Sequence, residues 1–217
     1  MKGPDDHTGF LMNEHLLLMN GLSVEILEAL SYESRLGIPL KKNLHYFNKE
    51  LLIRELIDMT EWLDRQEILG DIAIDYRVKS LDSILIKYER YYPDHQTRKV
   101  FNDILGFRAL CDSYEELLNE SAEQFRTADL SKGKAMDDGY RGVHVYYQKS
   151  GRHYPIEIQF NTLYDRQLNN WLHDYLYKKN YPEPVGRELR KHYEAGTIRN
   201  VNEFREVLKD VLSRGQG

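Results

Sequence analysis

The stretch Val143–Thr162 reads VHVYYQKSGRHYPIEIQFNT, and its alternation decides the fold. Val143, Val145 and Tyr147 fall on one face of an extended segment, and Tyr154, Ile156 and Ile158 on one face of the next. A pleated strand requires this period of two. Gly151 marks a turn between them, so a hairpin is expected. Alternation sends Glu157 to the face opposite Ile156 and Ile158. If that face meets solvent, the acid is unremarkable.

Upstream, Leu16, Leu17, Ile26, Leu27 and Leu30 recur at roughly helical spacing, broken at Gly21 and ended by Gly37-Ile38-Pro39. A second helix is expected from about Asn48 to Glu67, with Gly70 as its stop. Ile72, Ile74 and Tyr76 alternate as a strand; a helix follows over Leu81–Tyr91, and a strand within Phe101–Leu110. Glu115–Gln124 reads as helix. After Thr162 the chain returns to helices, with breaks around Pro182 and Pro184 and near Gly196. The outline is an α+β domain: a mixed sheet with helices before and after it. The expected division is a helical extension over 1–70, a core over 71–180 and C-terminal helices over 181–217.

Of the 217 residues, 41% are hydrophobic and 30% charged, enough for a buried core in a soluble chain. No apolar run is long enough to span a membrane, and MKGPDDHTGF lacks the order of a secretion signal. Cys111 is the one cysteine, so an internal disulfide is impossible and a cytoplasmic location is expected. The net charge of -5 argues against a broad nucleic-acid-coating surface and leaves room for a local basic patch.

Four clusters carry candidate chemistry. Arg77-Val78-Lys79-Ser80, with Ser83 and Lys87, puts cations and hydroxyls at a strand-to-helix junction, a phosphate-binding pattern that also reads as a capped helix with solvated cations. Asp103 and Arg108 flank a strand entry. Asp137-Asp138-Gly139-Tyr140-Arg141-Gly142-Val143-His144 is a glycine-hinged loop with two acids and a flat ring. Glu157-Ile158-Gln159 lies in the later strand. Two acids on different strands can bind one Mg²⁺ together with phosphates; the cations suit a nucleoside triphosphate, and Tyr140 could stack on a second base.

RVKSLDSILIKYE (Arg77–Glu89), FNDILGFRAL (Phe101–Leu110), DDGYRGVHVYYQ (Asp137–Gln148) and PIEIQFNT (Pro155–Thr162) occur in an order and spacing that resembles the RelA/SpoT synthetase domain. The resemblance covers about Ile72 to Lys179. It implies a mixed β-sheet of the nucleotidyltransferase-like synthetase type, flanked by N- and C-terminal helices. Long members also carry hydrolase and regulatory domains, for which this chain is too short, so it looks like a small alarmone synthetase. The dipeptide His173-Asp174 reads as a helix pair. By resemblance, the β,γ-pyrophosphate of ATP passes to a ribose 3′-hydroxyl. Arg77 and Arg108 would sandwich the adenine; Lys79, Ser80 and Lys87 would hold phosphates. Asp103 and Glu157 would coordinate Mg²⁺, Glu157 also helping to deprotonate the attacking hydroxyl. Tyr140, with Arg141, His144 and Gln159, would serve the acceptor.

Departures fall on the acceptor side. Lys134-Ala135-Met136-Asp137-Asp138-Gly139-Tyr140 replaces the family's Lys-Pro-x-Gly-Tyr approach, Asn161 its arginine and Leu172 its glutamate. Asp137 and Asp138 would repel the 5′-phosphates of GDP or GTP, by ~1 to 4 kcal/mol per pair at about 4 Å. The 3′-terminal adenosine of tRNA lacks a free 5′-polyphosphate, and toxic small synthetases paired with a protein antitoxin modify that end. Lys41 and Lys42, with Lys49 and Arg54 nearby, could meet the tRNA stem; Lys132 and Lys134 could instead rescue guanine nucleotide binding. The rival from another class is a degenerate module that binds a nucleotide or partner without catalysis, against which the retained Arg77, Lys79, Asp103, Arg108, Tyr140 and Glu157 argue. A nucleotidyltransferase would want an Asp-x-Asp pair, which is missing at the expected strand.

Overall fold

The computed structural model describes residues 16–118, 124–179, 181 and 183–214. The described residues within 16–109, 115–127 and 144–159 form one compact unit, and those within 110–114, 128–143 and 160–214 form another. The fold is α+β, built on a mixed five-stranded sheet with helices on either side of it in sequence.

The strands are Tyr76–Val78 (β1), Leu105–Leu110 (β2), Phe125–Asp129 (β3), Val143–Tyr147 (β4) and Ile156–Asn161 (β5). Their spatial order is β1-β2-β5-β4-β3, so β5 is central and β4, its neighbour in sequence, is also its neighbour in the sheet. Centrality explains the sequence of β5: every residue in it is buried except half-exposed Gln159. Glu157 is the one ionisable residue there, and only 6% of its surface is exposed. β1 runs antiparallel to β2 with Arg77 opposite Gly106. Lys79 N–H donates to the Ile104 carbonyl and Arg108 N–H to that of Asp75, which extends this ladder at both ends.

The first unit's helices are Val24–Ala29 (α1), Lys49–Asp64 (α2), Ile68–Asp71 (α3), Leu81–Tyr91 (α4), Thr97–Val100 (α5) and Glu115–Leu118 (α6). Asn48 caps α2 by accepting from Leu51 N–H at 3.0 Å, and Leu52, Leu56, Met59 and Leu63 form its buried stripe. Ser80 caps α4 by accepting from Ser83 N–H. The second unit holds Leu163–Tyr175 (α7), Glu183–Glu194 (α8) and Val201–Arg214 (α9). Leu168, Leu172, Leu189, Ile198 and Phe204 are the centre of its apolar core. Among the described residues no helix is long and apolar enough to cross a membrane.

Several expected boundaries move. The alternating Ile72 and Ile74 precede β1 as bends, and the strand starts at Tyr76. Gly70 lies inside α3, because α2 already ends at Asp64. Phe101 to Ile104 follow the turn of α5, so β2 begins only at Leu105. Pro184 sits in the first turn of α8, where its missing N–H costs nothing. Strand β3, FRTAD, carries one large apolar residue and escaped notice at the sheet edge. Part of the helix expected over Glu115–Gln124, and Pro182, lie outside the described residues.

Candidate active site

The first unit contains a cavity of about 70 Å³ whose polar lining is Arg77, Lys79, Asp103, Arg108, Glu157 and Gln159. Six side chains from three separate sequence clusters therefore converge at the β1-β2-β5 part of the sheet. Asp103 is the hub. Its Oδ2 is 2.8 Å from Lys79 Nζ and its Oδ1 3.0 Å from Lys87 Nζ. The second contact is an ion pair without hydrogen-bond alignment, and Asp103 Oδ1 is buried with no hydrogen bond. Lys87 Nζ donates instead to the Val100 carbonyl at 3.2 Å.

Glu157 is the second hub. Its Oε1 lies 3.0 Å from His144 Nδ1 and accepts from the Tyr146 hydroxyl at 3.1 Å; its Oε2 accepts from Gln159 Nε2 at 2.7 Å. Burial pushes this carboxyl up, but hydrogen bonds and charge from His144, then Gln159 and Tyr146, outweigh it and leave the pKa below its ordinary 4.5. The buried acid thus stays ionised at neutral pH, which a metal ligand or a base requires. Burial, with Glu157 alongside, holds the Tyr146 hydroxyl protonated well beyond neutral pH, so it donates to Glu157.

The second unit carries the loop between β3 and β4. Leu130 N–H donates to the Gly142 carbonyl at 2.9 Å and Gly142 N–H returns to Leu130 at 3.3 Å, closing the loop at its neck. Inside it, Asp137 grips Arg141 with both oxygens, at 2.7 and 3.0 Å, and also accepts from Gly139 N–H. The hydrogen bond from Arg141 is the main reason the Asp137 carboxyl is held below the usual range. Asp138 pairs with Lys134 Nζ at 2.5 Å and accepts from Tyr140 N–H at 3.1 Å. Lys134 Nζ also sits 5.2 Å from the centre of the Tyr140 ring.

Residues 76–181 match the family described as "Region found in RelA / SpoT proteins". The chain carries a RelA/SpoT region. Among solved structures, the chain is similar to small alarmone synthetase 1 from Bacillus subtilis bound to its product pppGpp, with 22% identity, 77% of this chain and 90% of that one covered, and a TM-score of 0.40. Small alarmone synthetase 2 from the same organism gives 21% identity, 76% and 95% coverage, and 0.40. A GTP pyrophosphokinase family protein from Streptococcus pneumoniae gives 19%, 76% and 87%, and 0.38. Comparison with curated proteins finds no match.

Within the RelA/SpoT region the structure gathers Arg77, Lys79, Asp103, Arg108, Glu157 and Gln159 at the cavity, with Lys87 and His144 attached to its two acids. Ser80 is not part of that lining; its hydroxyl is spent on the cap of α4 and lies 3.0 Å from that of Ser83. Tyr140 and Arg141 belong to the second unit's loop. The two acids of that loop do not form a free negative entrance, as the sequence reading supposed. Each is neutralised by a cation of the same loop four residues away, and each caps the turn. Lys41 and Lys42 are exposed, and Lys42 Nζ lies 5.2 Å from the Tyr46 ring; Lys49 pairs with Glu89. Sequence reasoning missed Tyr146. Its signal was present: it shares strand parity with His144 on β4.

Proposed function

We propose that this chain is an ATP-dependent pyrophosphokinase that moves the β,γ-pyrophosphate of ATP to the 3′-hydroxyl of a nucleotide ribose. The observation that carries this reading is the pair of carboxylates, Asp103 and Glu157, within one cation-lined cavity of a RelA/SpoT region. Arg77 and Arg108 stack on the adenine, and Lys79 and Lys87 bind the phosphates. Lys79 and Lys87 are stored on Asp103 until a phosphate competes for them. Glu157, fixed by His144, Tyr146 and Gln159, takes the proton of the attacking hydroxyl.

Asp103 and Glu157 fit Mg²⁺. Both are hard anionic oxygen donors, and Asp103 Oδ1 is buried without a hydrogen bond. Among the described residues no cluster of three or more metal-ligating side chains exists, so Asp103 and Glu157 would hold the ion together with nucleotide oxygens. When bound, the ion neutralises the charge of the transferring group.

For the acceptor we favour the 3′ end of tRNA, with a protein antitoxin as partner and the cytoplasm as setting. The basis differs from simple repulsion. Lys134 and Arg141, the loop cations that a 5′-polyphosphate would need, are already consumed by Asp138 and Asp137. Exposed Lys41 and Lys42 are available to an RNA stem. The second reading, GDP or GTP as acceptor, is favoured by Lys132, the remaining exposed cation of the loop. In the same spirit we retain 1–70, 71–180 and 181–217 as a functional division into extension, core and C-terminal helices. Incubation with ATP labelled at the β-phosphate and either GDP, GTP or deacylated tRNA tests the assignment: label must appear on one of them, and transfer to none refutes it.

Three variants refine the acceptor. Tyr140→Ala is expected to weaken acceptor binding by ~1 to 3 kcal/mol while Tyr140→Phe stays near the parent, as a stacking platform requires. An unchanged acceptor KM in the Ala variant removes Tyr140 from this role. The double change Asp137→Asn and Asp138→Asn keeps the oxygens that cap the turn but releases Arg141 and Lys134. Transfer to GDP should then rise several-fold relative to tRNA, roughly the ~1 kcal/mol that partly exposed charge pairs contribute, and more so at low salt. A GDP-to-tRNA ratio equal to the parent's contradicts the masking of these cations.

A further inference from the structure

The RelA/SpoT match ends at residue 181, yet the loop that bears Tyr140 is held from beyond that limit. Gly139 has φ 86°, a left-handed conformation natural to glycine, and its backbone lies directly against that of Gly186 in α8. A Cβ on Gly186 would overlap the Asp138 carbonyl, and one on Gly139 would overlap the carbonyl of Gly186. Four residues further along α8, Arg190 is 1% exposed. Its Nε donates to the Gly139 carbonyl at 2.8 Å and its Nη1 to Asp165 Oδ1 at 2.6 Å. Its Nη2 reaches Asn169 Oδ1 at 3.4 Å. Asn169 passes the constraint on, giving its Nδ2 to the Arg141 carbonyl at 2.7 Å and accepting from Arg141 N–H at 3.3 Å. The Tyr177 hydroxyl donates to the Asp138 carbonyl at 3.2 Å. The Tyr140 carbonyl accepts from Arg141 Nη1 at 2.8 Å. Four successive carbonyls, 138 to 141, are therefore each taken by a side chain.

A guanidinium withdrawn from water is costly unless it is paired and hydrogen-bonded, and leucine would fill such a core position more cheaply. What arginine adds is a planar fork that reaches an acid, an amide and a backbone carbonyl at once. We infer that α8 is the mount of the acceptor loop, and that Arg190 and Gly186 are positioning residues that set Tyr140 for the acceptor. This rests on the reading of Tyr140 as the acceptor platform. It places part of the acceptor specificity in a helix outside the matched region.

Arg190→Lys keeps a cation for Asp165 but loses the fork. Gly186→Ala removes no hydrogen-bonding group, suits a helix better than glycine, and pushes chiefly on the Asp138 carbonyl, with a lesser contact on the Leu176 side chain. Two readouts are taken on the full chain: amide hydrogen exchange, and KM for ATP and for the acceptor that the parent uses. Both variants are expected to speed exchange at Gly139 to Gly142 and to raise acceptor KM by about tenfold while ATP KM stays within about twofold, the signature of a misplaced binding group. Unchanged exchange at Gly139 to Gly142 overturns the mount. Exchange that rises equally across α7 and α9, with ATP and acceptor KM rising together, also overturns it and makes Arg190 a residue of the helical core alone. Local exchange that rises with acceptor KM unmoved overturns the positioning role. A parent that labels no acceptor refutes the pyrophosphokinase reading instead, and exchange still decides whether α8 holds the loop.

Discussion

Asp103→Asn is expected to lower kcat by about 10²- to 10³-fold, the usual loss when one preorganised charge at a reacting group is removed. The size follows from what Asp103 touches. It is the anionic partner of both Lys79 and Lys87 and, on our reading, a ligand of the metal. Asparagine preserves shape and removes the charge. KM for ATP should not rise with this loss, because the two lysines are released to bind phosphate. Steady-state kinetics at saturating Mg²⁺ separate the two parameters, and a melting curve establishes that the variant is folded. A kcat within a few-fold of the parent would sink the assignment. A rise in ATP KM with kcat unchanged would make Asp103 a binding residue only.

Glu157→Gln is expected to lower kcat by about 10²- to 10⁴-fold, the range for loss of a general base. It also has a signature in stability. The folded-state pKa of Glu157 lies below the ordinary 4.5, since its hydrogen-bond donors outweigh burial. A depressed carboxyl stabilises the fold at pH values above its unfolded pKa, and that contribution is lost as pH falls through the folded value. Glutamine mimics the protonated acid. The parent should therefore be more stable than the variant at neutral pH, and the two should converge on acidification below 4.5. Urea unfolding of both proteins across that range gives the difference directly. A gap that stays constant with pH would show that the carboxylate's hydrogen bonds carry no charge-dependent stability.

Much of this site was legible because its residues sit on strands, whose period of two is the simplest pattern to read. Alternation alone turned Glu157 away from Ile156 and Ile158, and the structure places it, nearly buried, at the cavity. The junction after β1 likewise yielded Lys79 and Lys87. Asp103 drew notice only as an acid at a strand entry; that it holds both lysines depends on how β1 and β2 pair, which no local pattern encodes. Ion pairing was the main blind spot. Asp137 and Asp138 looked like exposed repulsive charges, because their partners Arg141 and Lys134 become partners only once the loop closes on itself. Arg190 was invisible for the opposite reason. In sequence it is one more cation on an amphipathic helix, and its burial is decided by Asp165, Asn169 and Gly139, each distant along the chain. Strand β3 was lost because FRTAD satisfies the sheet through its backbone rather than through apolar side chains.

The neck at Leu130 and Gly142 bears on how such a loop can be exchanged or lengthened. Two reciprocal backbone bonds fix where the loop leaves and rejoins the sheet whatever lies between them. Exposed Ala135 and Met136 show no side-chain bond to the rest of the loop, so an insertion between them carries chiefly the slow, logarithmic cost of a larger closed ring. The segment from Asp138 to Arg141 has no such freedom, because α7 and α8 take the carbonyls of Arg141 and Gly139, and Tyr177 takes that of Asp138. A transplant of the loop into a related scaffold should thus succeed when Gly186 and Arg190 travel with it, and yield a chain with a floppy tyrosine when they are left behind.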